Sequence, residues 1–328
     1  MKRTALGAGS LIVLMSLAGL KLGDVPISWT TIFAILADPA AAQPDTAMIV
    51  LDLRLPRIAL AALVGMALGV AGAITQAILR NPLAEPGTLG VNAGAALAVT
   101  VLIVAYPGSS PFLTPWAGFV GASAMAAAIY ALSWRAGATS LRIILVGVGL
   151  SSLAGAAVTL LTALGDARDV HRAFIWLSGS VYDASWTQVS ALSLSLFPSL
   201  ALCWLAARAL DVASLGATAA RAVGQDVHRF QGFVILLCTL ISGAAVAVSG
   251  LIAFVGLIAP HAARRLVGPS HGQIIPASAL IGAVIVMAAD LIGRVAFAPF
   301  QLPAGVLTAM IGAPAFAFLL WRRRTSIG

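Results

Sequence analysis

One uncharged run constrains this chain more than any other feature. From Ile58 to Leu79 there are 22 residues without a formal charge, preceded by Arg54, Leu55, Pro56 and Arg57 and closed by Arg80. An apolar run of about 20 residues is long enough to cross the hydrocarbon core of a bilayer as a helix. Asn81-Pro82-Leu83-Ala84-Glu85-Pro86-Gly87 follows, and its prolines and glycine cannot continue a helix, so a turn is expected at a membrane face. A second small-residue apolar run then begins. The 328 residues are only 9% charged, against about 25% for a soluble domain, so the expected class is an all-α polytopic membrane protein.

Hydropathy along the rest of the chain predicts about ten spans. The first is Thr4 to Leu20, read as an uncleaved helix rather than a signal peptide. A polar segment, Lys21 to Leu53, carries a short interfacial helix at Trp29 to Leu36 with Trp29 as an aromatic anchor. Ile58–Leu79 is the second span, and Asn92–Tyr106, Phe112–Trp134, Ile143–Leu164 and Trp186–Ala207 are the third to sixth. The fourth ends at Arg135, and a loop from Arg135 to Arg142 leads on. Residues 165–186 form a polar loop or short helix on the far side. Residues 208–229 are too polar to span, and a short helix is expected at Ala217–Val223, stopped by Gly224 in the C′ position. Phe230 to Pro260 is 31 residues without a charge, divided at Ser249-Gly250 into a seventh and an eighth span. The ninth starts near Ile274 and the tenth is Leu302–Trp321.

Charge tests this layout. One side collects 13 of the 19 Lys and Arg and 3 of the 11 acidic residues, which places both termini in the cytoplasm. The net charge of +8 is thereby topological, and no nucleic-acid partner is expected. Cys203 and Cys238 fall inside apolar runs and read as buried thiols. Ala67–Ile74 (ALGVAGAI) and Ala245–Ile252 (AVAVSGLI) suggest an inverted repeat.

The chain has no G-x-x-x-x-G-K-[ST] and only two lysines, so it cannot cradle a nucleotide in a P-loop. His171, His228, His261 and His271 lie apart, without metal spacing, and no cofactor is expected. An intramembrane lipid-modifying enzyme or a self-powered secondary transporter would carry ionisable residues in its spans, and here Asp290 is the main exception. Arg54, Arg57 and Arg294 stand at helix entrances or exits, where arginines snorkel, and Asp290 can pair with Arg294 one turn on. Pro260-His261 reads as a helix end with a capping imidazole.

The stretch RLPRIALAALVGMALGVAGAITQAILRNPLAEPGTLGVNAGA resembles the FecCD-type permease family, the membrane subunits of bacterial ABC importers for ferric siderophores, haem and cobalamin. A second stretch, GLIAFVGLIAPHAARRLVGPSHGQIIP with AADLIGR and QLPAGVLTAMIGAPAFAFLL, is similar to the same family, so the resemblance covers about residues 50 to 322. It implies a type II importer permease fold in the inner membrane. The implied partners are separate ATP-binding subunits, a periplasmic binding protein, and a second copy or paralogue of the chain, all within membrane lipid.

Residue by residue, the resemblance implies that Arg54, Arg57 and Arg294 receive acidic side chains of the binding protein. It implies a cytoplasmic gate at Asn81, Leu83, Thr139 and Ser140, and a path beside Gly147, Ser151 and Ser152 of the fifth span. It implies coupling to the ATPase through Leu215, Gly216, Ala219, Ala220, Arg221 and Gly224. Trp176-Leu177-Ser178-Gly179-Ser180 is similar to the siderophore permeases, so ferric siderophore is the expected substrate, with haem and cobalamin as alternatives.

Overall fold

The computed structural model describes residues 2–23, 25–39, 43–134 and 139–324. Arg135, which opens the loop expected after the fourth span, lies outside the described residues. Regular structure among the described residues is helical throughout: α1 Lys2–Lys21, α2 Trp29–Ala37, α3 Pro44–Met48, α4 Leu55–Leu79, α5 Val91–Thr100, α6 Leu113–Ser133, α7 Ser140–Leu164, α8 Ala167–Leu177, α9 Trp186–Leu205, α10 Ala207–Ser214, α11 Ala217–Ala222, α12 Val227–Ser249, α13 Val255–Val267, α14 His271–Val295 and α15 Ala304–Arg324. Among the described residues six helical stretches are long and apolar enough to cross a membrane, and Leu6–Lys21, Val91–Ala105 and Ala304–Ala317 are shorter apolar helices.

The ten expected spans map onto α1, α4, α5, α6, α7, α9, α12, α13, α14 and α15. Three details differ. The segment before the second span is helical from Pro44, passing through a π-turn at Ile49–Arg54 into α4, so that one helix runs over 36 residues. The eighth span falls short of a full crossing: α13 has 13 residues, about 20 Å against a hydrocarbon core of about 30 Å. And Pro260-His261 lies inside α13, not at its end.

α4 sits at the centre because it is apolar on every face and must be covered on every face. It packs against α14, α13, α12 and α9. Its small residues set the distance of approach: a Cβ on Gly65 would fall inside the Gly282 carbonyl of α14, and one on Gly282 inside the Gly65 carbonyl. α7 is the opposite case, with only Ile143, Gly147 and Ala154 buried along its length.

Irregular backbone is fastened where it occurs. In the π-turn the Leu55 N–H goes back to the Val50 carbonyl, and Pro56 has no N–H to give, so the Leu51 carbonyl accepts the Trp186 indole N–H at 2.9 Å instead. The non-helical link after α12 is clasped by the turn that follows α8. Ser180 N–H donates to Ser249 O at 2.7 Å, and Gly305 N–H, at the start of α15, donates to Gly179 O at 2.9 Å. The two segments suggested as a repeat differ here: Ala67–Ile74 is continuous helix, whereas Ala245–Ile252 crosses the end of α12.

Candidate functional site

The three arginines are buried, and each engages its own chain. Arg54 donates to the carbonyls of Leu20, Lys21 and Val25. Arg294 Nη2 donates to Gly19 O at 2.9 Å. Both thus serve the last turn of α1, whose carbonyls have no helical partner and whose dipole favours a cation. Arg57 meets Asp290 through Nε to Oδ2 at 3.0 Å and Nη2 to Oδ1 at 2.8 Å, reaches Gln301 Oε1 at 2.9 Å with Nη1, and stacks over the Tyr182 ring. Asp290, read from the sequence as the helical partner of Arg294, gives its carboxylate to Arg57. Beside this pair lies a cavity of about 680 Å³, lined by Trp176, Tyr182, Asp183, Gln188 and Gln301 among others.

At the opposite end of α4 the chain turns sharply. Arg80 adopts a left-handed conformation, φ 48°, with its N–H on Ala77 O and that of Asn81 on Gln76 O. Asn81 Oδ1 then accepts the Leu83 N–H at 2.9 Å, which fixes the turn and leaves the Leu83 side chain exposed. Ser140 Oγ donates to Ile78 O at 3.2 Å, and Thr139 Oγ1 caps α7 by accepting the Arg142 N–H. α7 is thereby tied to the last turn of α4 through Ser140, while the contacts of Asn81 and Leu83 stay within their own turn. Further along α7, Gly147 is buried against the Thr88 carbonyl, Ser151 is half-buried, and Ser152 faces outward.

The segment after α9 forms two helices, α10 and α11. α11 ends in the expected manner: Gly224, φ 82°, donates to Arg221 O, and Gln225 N–H donates to Ala220 O at 3.0 Å. Two of the orphan carbonyls at this end, those of Arg221 and Ala220, are thereby satisfied. Leu215, Arg221, Val223 and Gly224 are exposed, Ala219 is half-buried, and Ala220 and Gly216 face inward. A cavity of about 160 Å³ lies between this arm and the ends of α4 and α7, with Arg80, Thr139, Ser140, Ala220 and Arg221 in its lining.

Two contacts lie beyond what the sequence pattern predicts. Pro260 has no N–H for the Gly256 carbonyl, and Gln76 Nε2 reaches that carbonyl at 3.5 Å while Arg264 donates to Gln76 Oε1. Glu85, in the turn after α4, accepts the Phe254 N–H at the start of α13; burial pushes its carboxyl up from the usual range and this hydrogen bond opposes the shift. The only signal for either is the polar residue closing or following an apolar run.

Known proteins share this architecture. The family model of the FecCD transport family matches residues 11–322. The chain is 43% identical over 285 residues to the Probable siderophore transport system permease protein YfhA of Bacillus subtilis (strain 168), covering 85% of this chain and 83% of that one. It is 36% identical over 318 residues to the hemin transport system permease protein HmuU of Yersinia pestis, covering 96% and 94%. A solved structure of a metal-chelate type ABC transporter in an inward-facing conformation superposes with a TM-score of 0.88 at 28% identity, covering 98% of this chain and all of that one. The chain belongs to the FecCD transport family: it is a multi-pass membrane permease subunit of an ABC importer, and not an enzyme.

Proposed function

We propose that this chain carries a ferric siderophore across the bacterial inner membrane as one half of a dimeric translocation unit, with both termini in the cytoplasm. The observation that carries the substrate is the 43% identity, over most of both chains, to a relative named for siderophore transport. The Trp176–Ser180 turn supports it, since the same turn clasps the broken segment after α12 and lines the 680 Å³ cavity where a released chelate would first enter. A cavity of several hundred Å³ is the size that holds a small ligand.

The arm α10–α11 is the seat for the ATP-binding subunit, on the strength of its exposed Leu215, Arg221 and Val223. The exposed face of α7, with Ser152, packs against the second permease copy or borders the path. Arg54, Arg57 and Arg294 act in docking of the periplasmic binding protein by holding α1, α4 and α14 in the shape that the protein meets. Asn81, Leu83, Thr139 and Ser140 close the cytoplasmic end.

Reconstitution tests the reading. Proteoliposomes holding the chain with its ATPase and binding protein are expected to accumulate ferric siderophore in an ATP-dependent manner and to leave haem and cobalamin outside. Uptake of haem alone would move the substrate to the hemin relatives, and failure of the purified chain to retain an ATPase would sink the importer assembly.

A further inference from the structure

α14 begins without a cap of its own. Ser270 stands in the capping position with extended backbone, yet its side chain makes no capping bond. Its hydroxyl points instead to Asp211 Oδ2 at 3.3 Å. Asp211 belongs to α10, some 60 residues earlier, and it supplies what Ser270 does not: Oδ1 accepts the His271 N–H at 2.8 Å and lies 2.6 Å from His271 Nδ1. A carboxylate on the first amides of a helix also meets the positive end of its dipole.

The same turn has a second vacancy, and the same region fills it. Pro276 lacks the N–H that would bind the Gly272 carbonyl, and the Trp204 indole, at the end of α9, donates to that carbonyl at 3.2 Å. α14 is thus held at its first turn by the two elements that carry the arm. α10 is itself anchored by Leu210 and Ala207, both buried, and linked to the end of α11 by Gln225 Nε2 on Ala209 O at 3.2 Å. From this grip α14 runs 25 residues, about 37 Å, to Asp290 and Arg294 at its other end.

We propose that Asp211 is the positioning residue through which the ATPase-binding arm moves α14. The proposal rests on the importer reading above and adds the link between the arm and the transport bundle. A displacement of α10 carries Asp211 with it, and Asp211 holds α14 by two hydrogen bonds to its first residue. α14 in turn is packed backbone to backbone on α4, so the pull reaches the centre of the bundle.

A cap and a link are separable. Asp211→Ala removes both. Asp211→Ala with Ser270→Asp restores a cap from the helix's own capping position, since aspartate there accepts the amide three residues on, but leaves α10 and α14 in packing contact without the Asp211 hydrogen bonds. The measurement is substrate imported per ATP hydrolysed by the complete transporter in proteoliposomes, with thermal unfolding of the same preparations. The double variant is expected to recover stability lost by the single one, while its import per ATP stays about tenfold below wild type, in line with the loss of a charge-assisted hydrogen bond. Asp211→Asn, which keeps an acceptor, is expected to fall between. A double variant that imports as much per ATP as wild type makes Asp211 a cap and nothing more, and overturns the proposal. Wild-type import per ATP, read alongside, tests the importer reading independently.

Discussion

Arg57 and Asp290, 233 residues apart in sequence, form a two-pronged pair inside the helical bundle. The pair joins the start of α4 to the end of α14, the two helices whose glycines bring their backbones into contact further along. With each side chain only 8% exposed, the charges have little water to fall back on.

Removing one member should therefore cost more than removing both. Arg57→Ala or Asp290→Ala leaves a buried charge unpaired, which costs about 3–5 kcal/mol in comparable sites. Arg57→Leu with Asp290→Leu replaces the pair by apolar volume and is expected to lose less than either single change. Unfolding in detergent checks this, and losses that simply add would show that the two charges are not one unit.

The glycine contact gives a sharper contrast. Gly65→Ala places a methyl against the Gly282 backbone, which cannot yield, whereas a Cβ on Gly149 of α7 meets nothing within 4 Å. Overpacking of this kind costs about 1–3 kcal/mol. Gly65→Ala is expected to lower the thermal midpoint clearly and Gly149→Ala to leave it unchanged or raised. Equal effects would mean that α4 and α14 are not the rigid centre.

Much of this architecture is legible in the amino-acid sequence, and the reasons are local. The span Ile58–Leu79 declares itself by length, the turn after it by Asn81-Pro82, and the end of α11 by Gly224, because each depends on neighbouring residues only. The short α13 stays hidden because the uncharged run from Phe230 to Pro260 looks the same whether its backbone is helical or extended. Sequence pairs Asp290 with Arg294 one turn away, since it displays helical neighbours and not the arginine 233 positions earlier. Ala220 reads as a partner-facing residue, and the structure turns it inward, because a six-residue helix gives too few positions to show which face is which.

A direct electrostatic part in the docking proposed for the arginines is separable from their hold on α1, α4 and α14. Arg54→Gln and Arg294→Gln remove positive charge while retaining a donor for the carbonyls at the end of α1. Arg57 is best left unchanged, because glutamate there would face Asp290. The Arg54 and Arg294 side chains are both buried, so their charge reaches a partner only through the field at the surface, and that attraction fades beyond about 10 Å at 0.1 M salt and acts chiefly on the rate of association. The double variant is expected to bind the periplasmic protein more slowly at low salt and to converge with wild type at high salt, measured on nanodiscs. Superposable rates at every salt concentration would leave these arginines a structural task alone.

The arm α10–α11 supplies the last test, because burial separates two kinds of change on it. Leu215 is 75% exposed and Val223 69%, while Ala220, one turn from Val223, is 1% exposed. Glutamate at Leu215 or Val223 changes only what a partner would touch, and the bundle should unfold as wild type does. Glutamate at Ala220 forces a charge among Ile78, Phe230 and the other residues around the 160 Å³ cavity, and it should destabilise the chain itself. The expected pattern is loss of ATPase retention for Leu215→Glu and Val223→Glu at unchanged stability, and loss of both for Ala220→Glu. Co-purification with the ATPase and a thermal melt on each variant read the two effects separately. If Leu215→Glu and Val223→Glu together retain the ATPase fully, the exposed apolar residues of the arm are not its seat, and the subunit must bind elsewhere on the cytoplasmic face.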